Sequence, residues 1–150
     1  MAKLKHVGIA TRDPDQAVKF FTDVLGWTIA GEIDSPNATG YYVSDGDMNI
    51  ALLKFKNAPA AGSEYGLDYT GLHHLGFQVD DLDETAQKFS AAGYEPRHDI
   101  NIAQGLGANP EKDNAEFKYA GPDGVIVDVS EKGWVGTATF IEGTERSKDS

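Results

Sequence analysis

Two stretches of the chain alternate apolar with small or polar residues in the period of two that is typical of a half-buried β-strand. Residues 4–10 and residues 72–78 share this alternation, and each contains a histidine followed by an apolar residue, a glycine and a second apolar residue. The two histidines, His6 and His74, are 68 positions apart. An internal repeat of this kind indicates that one supersecondary unit occurs twice.

A helix is predicted after each of these strands. An aspartate follows each histidine by seven positions, and a Gln or Glu lies three residues further on, as Asp13 with Gln16 and Asp81 with Glu84. This spacing is the capping box that begins helices. Apolar residues then recur every three to four positions in both halves, which predicts helices with one apolar face that must cover a sheet.

Further strand-like stretches complete the repeat. They are residues 27–33, 41–44 and 49–55 in the first half and residues 94–98, 115–120 and 125–130 in the second. The unit is therefore β-α-β-β-β, and the predicted fold class is α+β, with two tandem modules forming a cupped mixed sheet.

The domain organisation follows from this repeat. We expect a single domain over residues 1–140, with modules of about 4–55 and 72–131, and a polar tail over 141–150. Residues 56–71, rich in Ala, Gly and Pro, are interpreted as a linker, with a loop over a site as the alternative. Residues 102–114 are interpreted as an insertion in the second module.

Composition narrows the possible functions. The 150 residues carry a net charge of −11, which repels phosphate backbones and argues against nucleic-acid binding. No apolar run approaches the roughly 18 residues of a membrane span, and the N-terminus lacks the apolar region of a secretory signal, so we expect a cytoplasmic protein with no membrane partner. The chain has no cysteine, so histidines and carboxylates are its only strong metal ligands.

Three residues form a candidate metal site. His6 and His74 occupy equivalent positions in the two modules, so their side chains can converge if the modules pack as pseudo-twofold mates. Asp128 lies in the otherwise apolar strand at 125–130, where an unpaired carboxylate is costly to bury. Two histidines and one carboxylate leave metal positions open for substrate. The alternatives for Asp128 are an ion pair with a residue such as Arg97 or an exposed sheet edge.

Several stretches together resemble the vicinal oxygen chelate superfamily, also called the glyoxalase, bleomycin resistance and extradiol dioxygenase superfamily. They are residues 6–9, 20–27, 74–77 and 121–124, the last being Gly-Pro-Asp-Gly followed four residues later by Asp128. The resemblance covers about residues 4–131. It implies paired βαβββ modules that form a cup around a divalent metal, with His6, His74 and Asp128 as ligands, and it favours a homodimer. The sequence does not choose between a site within one chain and one shared across a dimer.

The chain departs from the family pattern in two places. The family's carboxylate in the last strand is usually Glu, whereas this chain has the shorter Asp128. Glyoxalase-type members carry a fourth ligand in the last strand of the first module, and Ala51 occupies that position here. The three remaining ligands resemble the dioxygenase branch more closely than the glyoxalase branch. Strand alternation further predicts that His73 points away from His74.

The expected function is a metal-dependent enzyme acting on a small substrate with two neighbouring oxygens, by a dioxygenase-like or a glyoxalase- or lyase-like reaction. The metal would be Fe(II), Mn(II), Ni(II), Co(II) or Zn(II), and no separate organic cofactor is expected. The candidates for proton transfer, all expected on strands lining the cup, are His98, Tyr42, Glu116 and Tyr119.

The rival function is a metal-free small-molecule binding protein of the bleomycin-resistance type. Aromatic residues on the predicted strands would then line an apolar cleft between the modules. The candidates are Trp27, Trp134, Tyr41, Tyr42, Phe117 and Tyr119. A protein of this type has no need of the two histidines and Asp128 together, which favours the enzyme.

Overall fold

A computed structural model describes residues 1–106 and 117–142. Its strands are β1 (Lys3–Ala10), β2 (Thr28–Asp34), β3 (Ala38–Ser44), β4 (Asn49–Phe55), β5 (Gly71–Gln78), β6 (Phe117–Ala120) and β7 (Ile126–Ser130). Its helices are α1 (Pro14–Lys19), which continues as a π-helix over Phe20–Val24, α2 (Ala58–Ala61), α3 (Leu82–Ala92) and α4 (His98–Ala103). The strands form one sheet in the order β2-β3-β4-β1-β5-β7-β6.

The pairing of the strands shows the pseudo-twofold relation between the modules. β1 pairs in parallel with β4, and β5 pairs in parallel with β7. β1 and β5 pair antiparallel and join the two halves into one continuous sheet. The predicted fold class, α+β with a curved mixed sheet built from two repeats, is confirmed.

The second module differs from the prediction at its second strand. Residues 94–98 form no strand: a single bridge joins Pro96 to Tyr119, and His98 is the first residue of α4. The side chain of Asn101 in α4 accepts a hydrogen bond from the backbone N–H of Lys118 and donates one to its carbonyl oxygen. Around the bridge, the N–H of Arg97 donates to the carbonyl oxygen of Lys118 and the N–H of Ala120 donates to that of Glu95. The predicted strand is therefore reduced to one bridge, and Asn101 of α4 takes the place of its continuation along β6.

Each long helix covers its own module on one face of the sheet. Val18 of α1 packs with Val43 and Leu52 of the sheet. In the second module the buried cluster beside α3 consists of Val79, Tyr119 and Val129. The side chains of Asp13 and Asp81 accept hydrogen bonds from the backbone N–H groups of Gln16 and Glu84, as the sequence predicts. α3 ends at Gly93, whose φ of 89° is the left-handed conformation that favours glycine.

The segment between the modules is more than a linker. Residues 58–61 form α2, and Ala60 and Ala61 are completely buried. Gln104, just after α4, donates a hydrogen bond to the carbonyl oxygen of Ala60. Residues 58–61 are therefore packed against the fold, and the alternative interpretation of residues 56–71 as a loop over a site stays a prediction. No helix among the described residues is long and apolar enough to cross a membrane.

Candidate metal centre

The sheet face opposite the helices carries a cluster of buried polar side chains. Strand alternation directs His6, Gly8, Asn49 and Ala51 to this face, because the residues between them pack under α1. On the other half, Asp128 lies between Val127 and Val129, which pack beside α3. The two halves therefore bring their polar residues together within one chain.

His6 is fixed by a chain of two hydrogen bonds. Its Nδ1 lies 2.7 Å from Asn49 Oδ1, and Asn49 Nδ2 donates to the carbonyl oxygen of Val135 at 2.8 Å. Since the amide oxygen can only accept, the proton of the imidazole is on Nδ1. Nε2 of His6 therefore carries a lone pair and is available as a ligand.

His74 is held by its neighbour His73, against the prediction that the two point apart. In the pairing of β1 with β5, Gly8 is opposite His74 and Ile9 is opposite Leu72, so His73 is an extra, bulged residue. The bulge interrupts strand alternation and brings the two rings together, with 2.8 Å between their Nδ1 atoms. His73 Nε2 lies 2.7 Å from the carbonyl oxygen of Ala61.

Asp128 is completely buried, and its partner is not Arg97. Arg97 pairs with Glu64 and Asp99, whereas the ammonium group of Lys118 lies 3.3 Å from Asp128 Oδ1. Neither carboxylate oxygen receives a hydrogen bond from the described residues, so the contact with Lys118 is an ion pair without good hydrogen-bond geometry. Oδ2 faces His74 Nε2 at 3.3 Å.

These atoms have the separations of ligands to one ion. His6 Nε2 and His74 Nε2 are 3.0 Å apart, and ligand atoms of His6, His74 and Asp128 all lie within 4.8 Å of one another. Two donor atoms that each lie about 2.1 Å from an ion, with a donor–ion–donor angle of about 90°, are about 3.0 Å apart. Two imidazole nitrogens that face a carboxylate without hydrogen bonds form a donor set that fits a divalent cation.

Burial keeps both imidazoles neutral. It lowers the pKa of His6 to about 3, with the neighbouring His74 as a further cause. Burial also lowers the pKa of His74 well below its usual value, helped by the positive charge of Lys118. The pKa of Asp128 is raised by burial, and Lys118 opposes this shift. Neutral imidazoles are the form that binds metals.

The glycine after each histidine makes room for the histidine of the other module. A Cβ at Gly8 would lie 2.1 Å from Cε1 of His74, and one at Gly76 would lie 2.8 Å from Cβ and Cδ2 of His6. Trp134 stacks on the His6 ring with an interplanar angle of 3° and is almost completely buried. In the repeated His-apolar-Gly motif, the glycine of each module thus leaves space for the imidazole of the other module where β1 pairs with β5.

Two of the predicted proton-transfer residues lie elsewhere. His98 is exposed at the start of α4 rather than on a strand. Tyr119 lies on the helix-covered face, where it stacks on Phe89, because Lys118 takes the alternate position toward the site. Tyr42 pairs with Ala51 and shares its face of the sheet. Glu116 lies outside the described residues.

The position equivalent to Asp128 in the first module is Ala51, as the alignment of the modules predicts. Ala51 is opposite Gly8, two residues after His6, and Asp128 is opposite Gly76, two residues after His74. The equivalent register places no ligand in the first module beyond His6.

Sequence reasoning missed three residues of the centre: Asn49, His73 and Lys118. Asn49 and Lys118 each precede or interrupt an apolar strand in the same way as Asp128, and this signal could have identified them. The contact of His73 depends on the bulge, for which the sequence has no evident marker.

Comparisons with known proteins agree with this fold. The sequence model of the Glyoxalase/Bleomycin resistance protein/Dioxygenase superfamily matches residues 3–129, and the chain belongs to this superfamily. The Escherichia coli K12 protein YaeR, which is described as uncharacterized, is 24% identical to this chain over 135 residues. The match covers 88% of this chain and 98% of YaeR.

Solved structures share the fold at low sequence identity. Methylmalonyl-CoA epimerase from Streptomyces coelicolor, solved as a Q60A variant with 2-nitronate-propionyl-CoA, superposes with a TM-score of 0.65 at 19% identity, covering 86% of this chain and 96% of the epimerase. The hypothetical protein BH1468 from Bacillus halodurans superposes with a TM-score of 0.61 at 18% identity, covering 89% and 96%. At these identities the likeness concerns the fold.

Proposed function

We propose that this chain is a metal-dependent enzyme that holds one divalent cation through His6, His74 and Asp128 and acts on a small substrate with two neighbouring oxygens. The observation that carries the proposal is the convergence of the Nε2 atoms of two buried histidines and a buried carboxylate that has no hydrogen bond from the described residues. A divalent ion, when bound, supplies Lewis acidity that stabilises negative charge developing on a substrate oxygen.

The protein's own contribution is to hold the ligands and exclude water. His6, His74 and Asp128 are each at most 6% exposed, so their orientations are fixed by packing. Lys118 binds Asp128 at Oδ1 and leaves Oδ2 directed toward the imidazoles. The first module offers no carboxylate base at Ala51, and Tyr42 remains the candidate for proton transfer among the described residues.

The ligand set favours a dioxygenase-like reaction with Fe(II). Two histidines and one carboxylate are the set of non-haem iron oxygenases, which leave several positions open. The alternative within the superfamily is a glyoxalase- or lyase-like reaction with Mn(II), Ni(II), Co(II) or Zn(II), and the fold shared with methylmalonyl-CoA epimerase supports proton transfer next to a carbonyl group. A homodimer and a cytoplasmic location remain predictions.

Metal content and oxygen use test the proposal together. Protein purified without chelators should contain one transition-metal ion per chain. With catechol as the probe, the iron form should consume dioxygen, whereas the Ni(II) or Co(II) form assayed under argon with methylmalonyl-CoA in D₂O would exchange the proton next to the carbonyl if the second reaction class is correct. Protein that neither retains nor takes up metal would refute both.

A second candidate function is the metal-free binding protein, and one contact favours it. Lys118 already balances the charge of Asp128, so the buried carboxylate has a counter-ion without any metal. The aromatic residues argue against this function. Trp27, Tyr41, Phe117 and Tyr119 pack under the helices, and Trp134 covers His6, so these residues do not form one apolar cleft.

A further inference from the structure

The bulged histidine beside the metal ligands has a defined set of contacts. His73 is 3% exposed and lies between the ring of His74 and the carbonyl oxygen of Ala61 in α2. The rings of Phe55 and Tyr65 contact it, with centroids 4.8 Å and 4.7 Å away. His73 therefore connects the segment between the modules with the metal centre.

The positions of the protons follow from these contacts. The carbonyl oxygen of Ala61 can only accept, so Nε2 of His73 carries a proton. Two aromatic rings and a carbonyl oxygen surround His73, and no carboxylate contacts it among the described residues, so the neutral ring is favoured and its Nδ1 has a lone pair. The single proton of His74 can serve either Nδ1, which lies 2.8 Å from this lone pair, or Nε2, which lies 3.0 Å from Nε2 of His6. The shorter contact favours donation from Nδ1. The proton-free atom of His74 is then Nε2, which faces His6 and Asp128.

The same arrangement holds His6 in the other module. Its Nδ1–H donates to Asn49, whose amide in turn donates to the carbonyl oxygen of Val135. In each module the ligand histidine donates to a side chain that can both accept and donate, and that side chain is anchored on a backbone carbonyl. The amide of Asn49 and the imidazole of His73 therefore have the same role, which is to accept a hydrogen bond from Nδ1 of the candidate ligand histidine.

We propose that His73 is a positioning residue that keeps His74 in the Nδ1-protonated form and aims its Nε2 at the metal site. This inference rests on the proposed function for its purpose, whereas the tautomer itself is a property of the metal-free protein. Groups that orient a ligand histidine in this way commonly change metal affinity by about 10- to 100-fold when they are removed.

Three variants separate positioning from packing. His73→Phe fills the space between the aromatic rings but offers no acceptor to His74. His73→Gln offers an acceptor and a donor, as Asn49 does. Phe55→Leu is the matched control, because it loosens the packing against His73 and leaves both hydrogen bonds of His73 in place.

The first measurement is the tautomer of His74 in the metal-free protein, from ¹H–¹⁵N correlation spectra of the imidazole nitrogens. We expect a protonated Nδ1 and a bare Nε2 in the wild type and in His73→Gln, and loss of this form in His73→Phe. A wild-type spectrum with the proton on Nε2 would overturn the proposal, and this result does not depend on whether His73→Phe folds.

The second measurement is Zn(II) affinity by competition with a chromophoric chelator. His73→Phe should bind Zn(II) about 10- to 100-fold more weakly than the wild type. His73→Gln should remain within a few-fold of the wild type, and Phe55→Leu should lower the melting temperature without changing the affinity. Equal affinities of the wild type and His73→Phe would overturn the proposal. A wild type that binds no Zn(II) would instead refute the proposed function, with the tautomer still decided by the spectra.

Discussion

The two modules have the same strand plan but unequal chemistry. Each supplies one histidine from its first strand and one glycine that accommodates the histidine of the other module. At the next equivalent position the first module has Ala51 and the second has Asp128. The second module also contributes Lys118 and lacks a complete second strand. The repeat thus determines where the candidate ligands lie, and divergence of the modules determines how many there are and what charge they carry.

The largest effect is expected from breaking the charge pair of the second module. Asp128→Asn removes the buried ion pair between Asp128 and the ammonium group of Lys118, and breaking such a pair on one side typically costs about 3–5 kcal/mol of unfolding free energy. Asp128→Asn combined with Lys118→Met should recover most of that loss without recovering metal affinity. Urea unfolding of the metal-free proteins measures the first effect and chelator competition the second. Full metal affinity in either variant would contradict the ligand role of Asp128.

The next effect is a loss of stability in mild acid. His6, His73 and His74 have lowered pKa values in the folded protein, so below about pH 6.5 the unfolded chain binds protons that the folded protein does not. Stability is therefore fully present above pH 6.5 and is lost as the pH falls toward the folded values, by up to about 1.4 kcal/mol per histidine per pH unit.

Unfolding of the metal-free protein at pH 7.0, 6.0 and 5.0 checks this dependence. Replacing His6 with Asn should reduce the slope by about one proton, and replacing His73 and His74 together should reduce it by about two. The first module would then account for one titrating group and the second for two. Stability independent of pH over this range would mean that the three imidazoles are accessible to protons in the folded state.

Replacing Gly8 and replacing Gly76 with Ala should cost unequal amounts of stability in urea unfolding. Gly8→Ala places a Cβ 2.1 Å from Cε1 of His74, a ring held between two neighbours, whereas Gly76→Ala places it 2.8 Å from His6. Overpacking of this kind costs about 1–3 kcal/mol. We expect Gly8→Ala to lower both stability and Zn(II) affinity more than Gly76→Ala. The reverse order would show that the ring of His6 is the more constrained of the two.

The smallest effect concerns the two ion pairs beside α4, which join Arg97 to Glu64 and to Asp99. Arg97 lowers the pKa values of Glu64 and Asp99, so these pairs add stability above the carboxyl pKa values and lose it as the pH falls through them. Both carboxylates are about half exposed, and such pairs contribute at most about 1 kcal/mol. Arg97→Gln should therefore lower the melting temperature slightly at pH 7 and not at pH 3, with unchanged metal affinity.

The fold was predictable from sequence because it depends on repeated local patterns. The His-apolar-Gly strands and the capped helices occur twice, and each copy supports the interpretation of the other. The strand predicted at 94–98 is reduced to one bridge to β6 because α4 begins at His98. Asn101 of that helix then makes the next hydrogen bonds to β6, a long-range contact that leaves no local pattern.

The candidate site was predictable only in part. His6, His74 and Asp128 were identified because they are polar residues at repeated or apolar strand positions. His73 was misassigned because a bulge changes the direction of one residue, and strand alternation cannot register it. Lys118 was missed as the partner of Asp128 because the two residues are opposite each other only in the observed register of β6 with β7, and the sequence does not specify that register.

The most direct test of the account is metal stoichiometry of the intact chain. Metal-free protein is dialysed against Co(II), and the bound ion is counted by elemental analysis and followed by its visible absorption. We expect one Co(II) per wild-type chain, and much weaker binding after His6→Gln, His74→Gln or Asp128→Asn. Retention of one ion per chain in all three variants, or none in the wild type, would show that these residues do not form a metal centre.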